Sequence, residues 1–142
     1  MYSKILLAVD GSENNKVAAN AAIDVAKSMG AKLTAVYVVS GVDLKPNAFG
    51  GDVADNERHA LAQKQVDDAT VYVANEAKSA GLDIEIKILS GSPADEIVKI
   101  SSDYDLIVCG SLGRTGLSKV LMGSVSSTIT KNAKCAVLVC RE

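Results

Sequence analysis

Short, nearly uninterrupted apolar runs separated by stretches of helical period constrain this chain most. Ile5-Leu6-Leu7-Ala8-Val9 is closed by Asp10-Gly11, and Leu33 to Val39 is rich in β-branched and apolar residues. Leu106-Ile107-Val108-Cys109 and Ala136-Val137-Leu138-Val139-Cys140 repeat the pattern. Runs of this length read as strands buried on both faces. Ile84, Ile86 and Ile88 alternate with Glu85 and Lys87, which predicts a strand with one wet face at a sheet edge.

Helical patterns fill the intervals. Val17, Ala18, Ala21, Ala22, Val25 and Met29 recur at mostly three- and four-residue spacing, with Ser12 as the expected N-cap and Gly30 just past the end. Ala62, Val66, Ala69, Val73, Ala77 and Ala80 keep a second stripe that Gly81 stops. Ser92-Pro93 opens a third helix, with Asp95 in the first turn where its charge suits the dipole. Ser124 to Lys131 reads as a fourth. Ser40 to Asp55 holds Gly41, Pro46, Gly50 and Gly51, shows no period and reads as a mobile loop. The alternation is βαβαβαβαβ, which means a parallel sheet with helices on both faces.

A length of 142 residues predicts a single domain over 1–142, and apolar residues at 48% can supply its core. A net charge of -2 gives no global positive field, so neither nucleic acid nor an anionic membrane is an expected partner. Cys109, Cys135 and Cys140 form no C-x-x-C pair and no disulfide framework, so they read as reduced thiols. The first apolar run is too short for a signal segment or a membrane span. These features together predict a cytoplasmic protein.

In an open α/β sheet, ligands bind beyond the carboxyl ends of the strands. Asp10-Gly11-Ser12, Val38-Val39-Ser40-Gly41 and the segment from Gly110 to Ser126 collect there. The last is punctuated by Gly110, Gly113, Gly116 and Gly123 and feeds a helix N-terminus, whose free N–H groups and dipole attract anions. Ser124 and Ser126 add hydroxyls, and Arg114 and Lys119 add charge. The composition also fits a plain surface loop of turn residues. Neither a Walker-type P-loop nor a G-x-G-x-x-G fingerprint occurs. Asp10 reads equally as a site residue or a turn cap. His59, beside Arg58 near a helix start, reads as solvated, and no His/Cys cluster has metal-ligand spacing.

Gly110-x-x-Gly113, nine residues, then Gly123-Ser124 resembles the ATP-binding signature of the universal stress proteins. Lys4 to Ser12, Asp103 to Ser111 and Cys135 to Val139 are similar to further motifs of that family, in order along the whole chain. The resemblance implies a Rossmann-like five-stranded parallel sheet of order 3-2-1-4-5 and ATP as ligand, with AMP or cyclic AMP as alternatives and Mg²⁺ carried on the phosphates. Asp10 and Val38 would then face the adenine, and Ala8 and Gly110 the ribose. Gly113, Gly123, Ser124, Val125 and Ser126 would hold the phosphates, with Arg114 as the basic neighbour. Leu112 and Ala136 stand where relatives often carry a polar or basic residue and a proline. The last strand, an edge in this order without charge or proline, would pair antiparallel in a homodimer. The implied role is nucleotide-dependent signalling or stress adaptation. No catalytic base or activated nucleophile is evident, so at most slow ATP hydrolysis is expected. Alternatives are a protein-interaction module without nucleotide and a weak ATPase or nucleotidyl-transfer enzyme, although S-G-G-x-D-S and H-I-G-H are absent.

Overall fold

The computed structural model describes residues 1–40, 55–111 and 122–141, the side chains of 55–59 excepted. Its elements run β1 (Lys4–Val9), α1 (Asn15–Met29), β2 (Lys32–Val39), α2 (Asp55–Ser79), β3 (Ile84–Ser90), α3 (Pro93–Ile100), β4 (Leu106–Gly110), α4 (Ser124–Asn132) and β5 (Ala136–Cys140). The strands form one parallel sheet of order β3-β2-β1-β4-β5, as expected. Asp55 opens α2 rather than closing a loop, and residues 41–54 of that expected loop lie outside the described residues.

The uninterrupted apolar runs have a direct cause, since each inner strand is covered on both sides. Ile5, Leu7 and Val9 of β1 join Leu33, Ala35, Leu106 and Val108 under α1 and α2. The intervening Leu6 joins Val36, Val38 and Ile107 under Ile97 of α3 and Ile129 of α4. A smaller cluster of Tyr37, Val39 and Val66 closes the α2 side of β2.

Two expectations are corrected. The buried face of α1 is Asn15, Ala18, Ala19, Ala22, Ile23 and Ala26, whereas Val17 and Met29 are exposed. Apolar residues surround much of this helix, so spacing alone left its phase open. The alanine stripe wins because small side chains let the helix lie close on β1 and β4. Ser12 does not cap α1. The helix starts at Asn15 after Asn14, and the Ser12 hydroxyl donates to Asp10 Oδ1 at 2.7 Å. Gly30 does end α1 in the left-handed region, at φ 63°. Ser92 takes the extended N-cap position of α3 ahead of Pro93, with no side-chain capping bond.

β3 is the expected edge, but its apolar side is not dry. Ile86 and Ile88 are 38% and 43% exposed, because they lie outboard of the helices that cover β2. At the opposite end of the sheet, Asp105 ties β1 to β4. Its Oδ2 accepts the N–H groups of Ser3 and Lys4 at 2.8 and 2.9 Å.

Candidate functional site

The sheet reverses its winding between β1 and β4. Their ladder stops at Leu7 opposite Val108, two residues short of the end of each strand. Beyond it lies the switch point of the sheet, where an open α/β fold of this winding forms its ligand-binding crevice. Ala8 and Asp10 stand on one wall and Gly110 and Ser111 on the other.

Each wall is fixed by local bonds. The Ala8 carbonyl accepts from Nδ2 of buried Asn15 at 2.9 Å, which ties the end of β1 to the first turn of α1. Asp10 Oδ1 accepts both the N–H of Ser12, at 2.9 Å, and its hydroxyl. The turn-cap reading of Asp10 is therefore realised, and the turn still stands at the mouth of the crevice. Gly11 takes φ 79°, which ordinary side chains rarely adopt, and the Cβ of any larger residue there would meet Ala69 Cβ at 3.3 Å.

The opposite wall is stapled at Ser111. Its N–H donates to the Cys140 carbonyl at 2.9 Å, and its own carbonyl accepts the Gly123 N–H at 2.7 Å. The hydroxyl of buried Ser126 donates to the same carbonyl and to that of Gly123, at 3.2 and 3.1 Å. The two ends of the glycine segment are thus pinned together and α4 starts at the crevice. Gly123 is extended, at φ -63° and ψ 160°, and no side chain caps the helix. The helix opens with the Ser127 N–H donating to the Gly123 carbonyl, at 2.9 Å, so the N–H groups of Ser124, Val125 and Ser126 have no helical acceptor. Ser124 and Val125 are exposed beside them.

Of the residues singled out by sequence, the structure thus brings Ala8, Asp10, Gly110, Gly123, Ser124, Val125 and Ser126 to one region. Val38, the next-to-last residue of β2, is only 7% exposed, and its side chain packs in the core with Leu6 and Ile97. Gly113 and Arg114 lie outside the described residues. Asn15 and Ser111 were not singled out. Asparagine just inside a helix resembles an ordinary turn residue, and Ser111 acts through its backbone, which leaves little trace in sequence.

Burial pushes the Cys109 thiol up to about 11, with the charges of Cys140 and Asp10 adding to the effect. It is a packing residue at the end of β4. All three cysteines are free. Among the described residues no group of three His, Cys, Asp or Glu could hold a metal ion. No described helix is long and apolar enough to cross a membrane.

The universal stress protein family model matches residues 1–141. The chain belongs to the universal stress protein family. It is 37% identical to Universal stress protein MJ0531 of Methanocaldococcus jannaschii, over all of this chain and 84% of that one. Among solved structures it resembles the universal stress protein UspA from Lactobacillus plantarum, with a TM-score of 0.80, 26% identity and coverage of 99% and 98% of the two chains. It also resembles a universal stress protein solved in complex with cAMP, with a TM-score of 0.71, 26% identity and coverage of 98% and 97%. The sheet order and the placing of helices are those of this universal stress protein fold.

Proposed function

We propose that this universal stress protein binds an adenine nucleotide, with ATP the first candidate, in the crevice between β1 and β4. The observation that carries the reading is the uncapped N-terminus of α4 opening beside the point where β1 and β4 part. A polyphosphate suits that place. Backbone N–H groups and a helix dipole attract negative charge, and each hydrogen bond to a charged group contributes about 1.5–3 kcal/mol. The related structure with bound cAMP supports an adenine ring as the other half of the ligand.

Asp10 and Val38 border the adenine end, and Ala8 and Gly110 the ribose. Gly113, Gly123, Ser124, Val125 and Ser126 hold the phosphates, with Arg114 adding charge. Ser126 contributes its N–H, since its hydroxyl already donates into the fold. Mg²⁺ would arrive on the phosphates and supply charge neutralisation there. The protein acts in the cytoplasm as a one-domain homodimer in stress adaptation or signalling. Pairing through β5 is supported by its place at the sheet edge and by the 38% exposure of Leu138.

The test is a thermal melt of nucleotide-stripped protein with Mg-ATP, AMP or GTP, beside Gly123→Val. Gly123 has a φ that valine tolerates, the melt without ligand checks that the variant folds, and in this reading its side chain crowds the phosphate approach. Ligand at about 100 times its dissociation constant adds about 2.7 kcal/mol, and the midpoint should rise by roughly 2–4 °C per kcal/mol. A rise with adenine nucleotides only, lost in the variant, is the expected result. No rise with any nucleotide would overturn the reading and favour an interaction module without nucleotide.

A further inference from the structure

The sheet has a second edge, β3, and its sequence is self-complementary in one register. Backbone parity comes first. Val39 pairs with Ser90 in the β2–β3 ladder, and the Gly91 N–H donates to the Val39 carbonyl at 3.0 Å. In a parallel ladder this means that Glu85, Lys87 and Leu89 bond to β2. Ile84, Ile86 and Ile88 therefore direct their N–H and C=O groups away from the sheet, along its open side. Two of those three side chains, Ile86 and Ile88, are also well exposed. On the opposite face Glu85 and Lys87 border an open groove of about 570 Å³ with Lys32, Thr34 and Tyr104, so no described helix covers them.

We propose that β3 pairs antiparallel with β3 of a second copy of this chain, with Ile86 on the two-fold axis. Ile86 then faces the partner's Ile86 and Ile84 faces the partner's Ile88, all as hydrogen-bonded pairs. Glu85 faces the partner's Lys87, and Lys87 faces the partner's Glu85. These are the non-hydrogen-bonded positions, where opposite side chains come closest. Charges on an edge strand normally block association. Here they block every neighbouring register and favour one. A slip of two residues sets Glu85 against the partner's Glu85 or Lys87 against the partner's Lys87. A slip of one sets charges against isoleucines. The interface is isologous and closes on itself as a dimer. It does not depend on nucleotide binding. With pairing through β5 as well, it would carry the protein to assemblies above a dimer.

The experiment uses the full chain carrying Leu138→Lys, which puts like charges together across β5 and leaves β3 free. Sedimentation equilibrium should find a concentration-dependent dimer that weakens as salt is raised. Adding Glu85→Lys or Lys87→Glu alone should weaken self-association by roughly tenfold or more, since two favourable pairs become two repulsive ones. The double exchange Glu85→Lys with Lys87→Glu should restore it. All three positions are at the surface, and matched melting curves check folding. A strictly monomeric Leu138→Lys protein would overturn the proposal. So would equal association of all the charge variants, or a double exchange that fails to rescue.

Discussion

Gly11 offers the sharpest test of how the β1–α1 turn is held. Replacing it with alanine meets two separate obstacles. The first is conformational. At φ 79° an L residue pays about 1–2 kcal/mol, offset by about 0.4–1 kcal/mol from the stiffer unfolded chain. The second is steric. The new Cβ would stand 3.3 Å from Ala69 Cβ, and Ala69 belongs to α2, which cannot yield without moving off the sheet. Overpacking of this kind costs about 1–3 kcal/mol. Gly30→Ala supplies the control, because Gly30 has a similar φ of 63° and nothing within 4 Å of its would-be Cβ. Urea unfolding should therefore find Gly11→Ala about 1–3 kcal/mol worse than Gly30→Ala. Ala69→Gly should remove that excess in a double-mutant cycle, which subtracts the cost of a helical glycine. Equal losses at the two glycines, or no coupling between 11 and 69, would refute the claim that α2 braces this turn.

Three further outcomes are expected. Ser101 is fully buried, donates to the Val98 carbonyl at 2.7 Å and accepts the Lys134 N–H at 2.9 Å. Ser101→Ala should cost about 1–3 kcal/mol and lower the melting midpoint by roughly 2–4 °C per kcal/mol. The Asp105 carboxyl is held below its usual range by the N–H groups of Ser3 and Lys4. Its contribution is therefore full above the unfolded value of about 3.9 and is lost as pH falls through the lower folded value. The stability gap between the parent and Asp105→Asn, followed by melting across pH, should close only in acid; a gap constant down to the lowest pH would contradict this. Cys109, with its thiol raised to about 11, should react with iodoacetamide roughly two orders of magnitude more slowly than an ordinary thiol. Mass mapping should find it labelled after Cys135 and Cys140, and equal rates would contradict its packing role.

Much of the fold was legible because burial on two faces leaves an unmistakable mark. Leu6 and Leu7 face opposite layers, so β1 tolerates no polar residue between Ile5 and Val9, and the run reads as a strand on sight. The ends of α1 and α2 were equally plain, since Gly30 and Gly81 sit at φ 63° and 71°, where the chain needs glycine. The phase of α1 was not legible, because packing against the sheet chooses between two apolar stripes of different bulk. Ser12 misled for a related reason. Serine before a helix suits a cap, but the helix begins only at Asn15, after Asn14, and Ser12 belongs to the turn that Asp10 closes. Parity and charge marked β3 as an edge, but nothing local said that Ile86 would stay exposed.

The candidate site divides along the same line. The helix start was readable from the residues that follow Gly123, which itself takes an ordinary extended φ of -63°, whereas Gly113 lies outside the described residues. The bonds that shape the crevice are accepted by backbone carbonyls from donors several residues or more along the chain. The Ser111 carbonyl gathers Gly123 and Ser126 from the far end of the glycine segment, and the Ala8 carbonyl takes Asn15 from α1. No residue type announces a carbonyl that will serve as a staple. The same reasoning bears on ligand choice. A site built of N–H groups at a helix start recognises negative charge and leaves the rest of the ligand to the strand ends. Under the proposed function, selectivity for the base falls to the rim around Asp10 and Val38. Substitutions at that rim should change which nucleotide raises the melting midpoint, and substitutions at Gly123 should change whether any does.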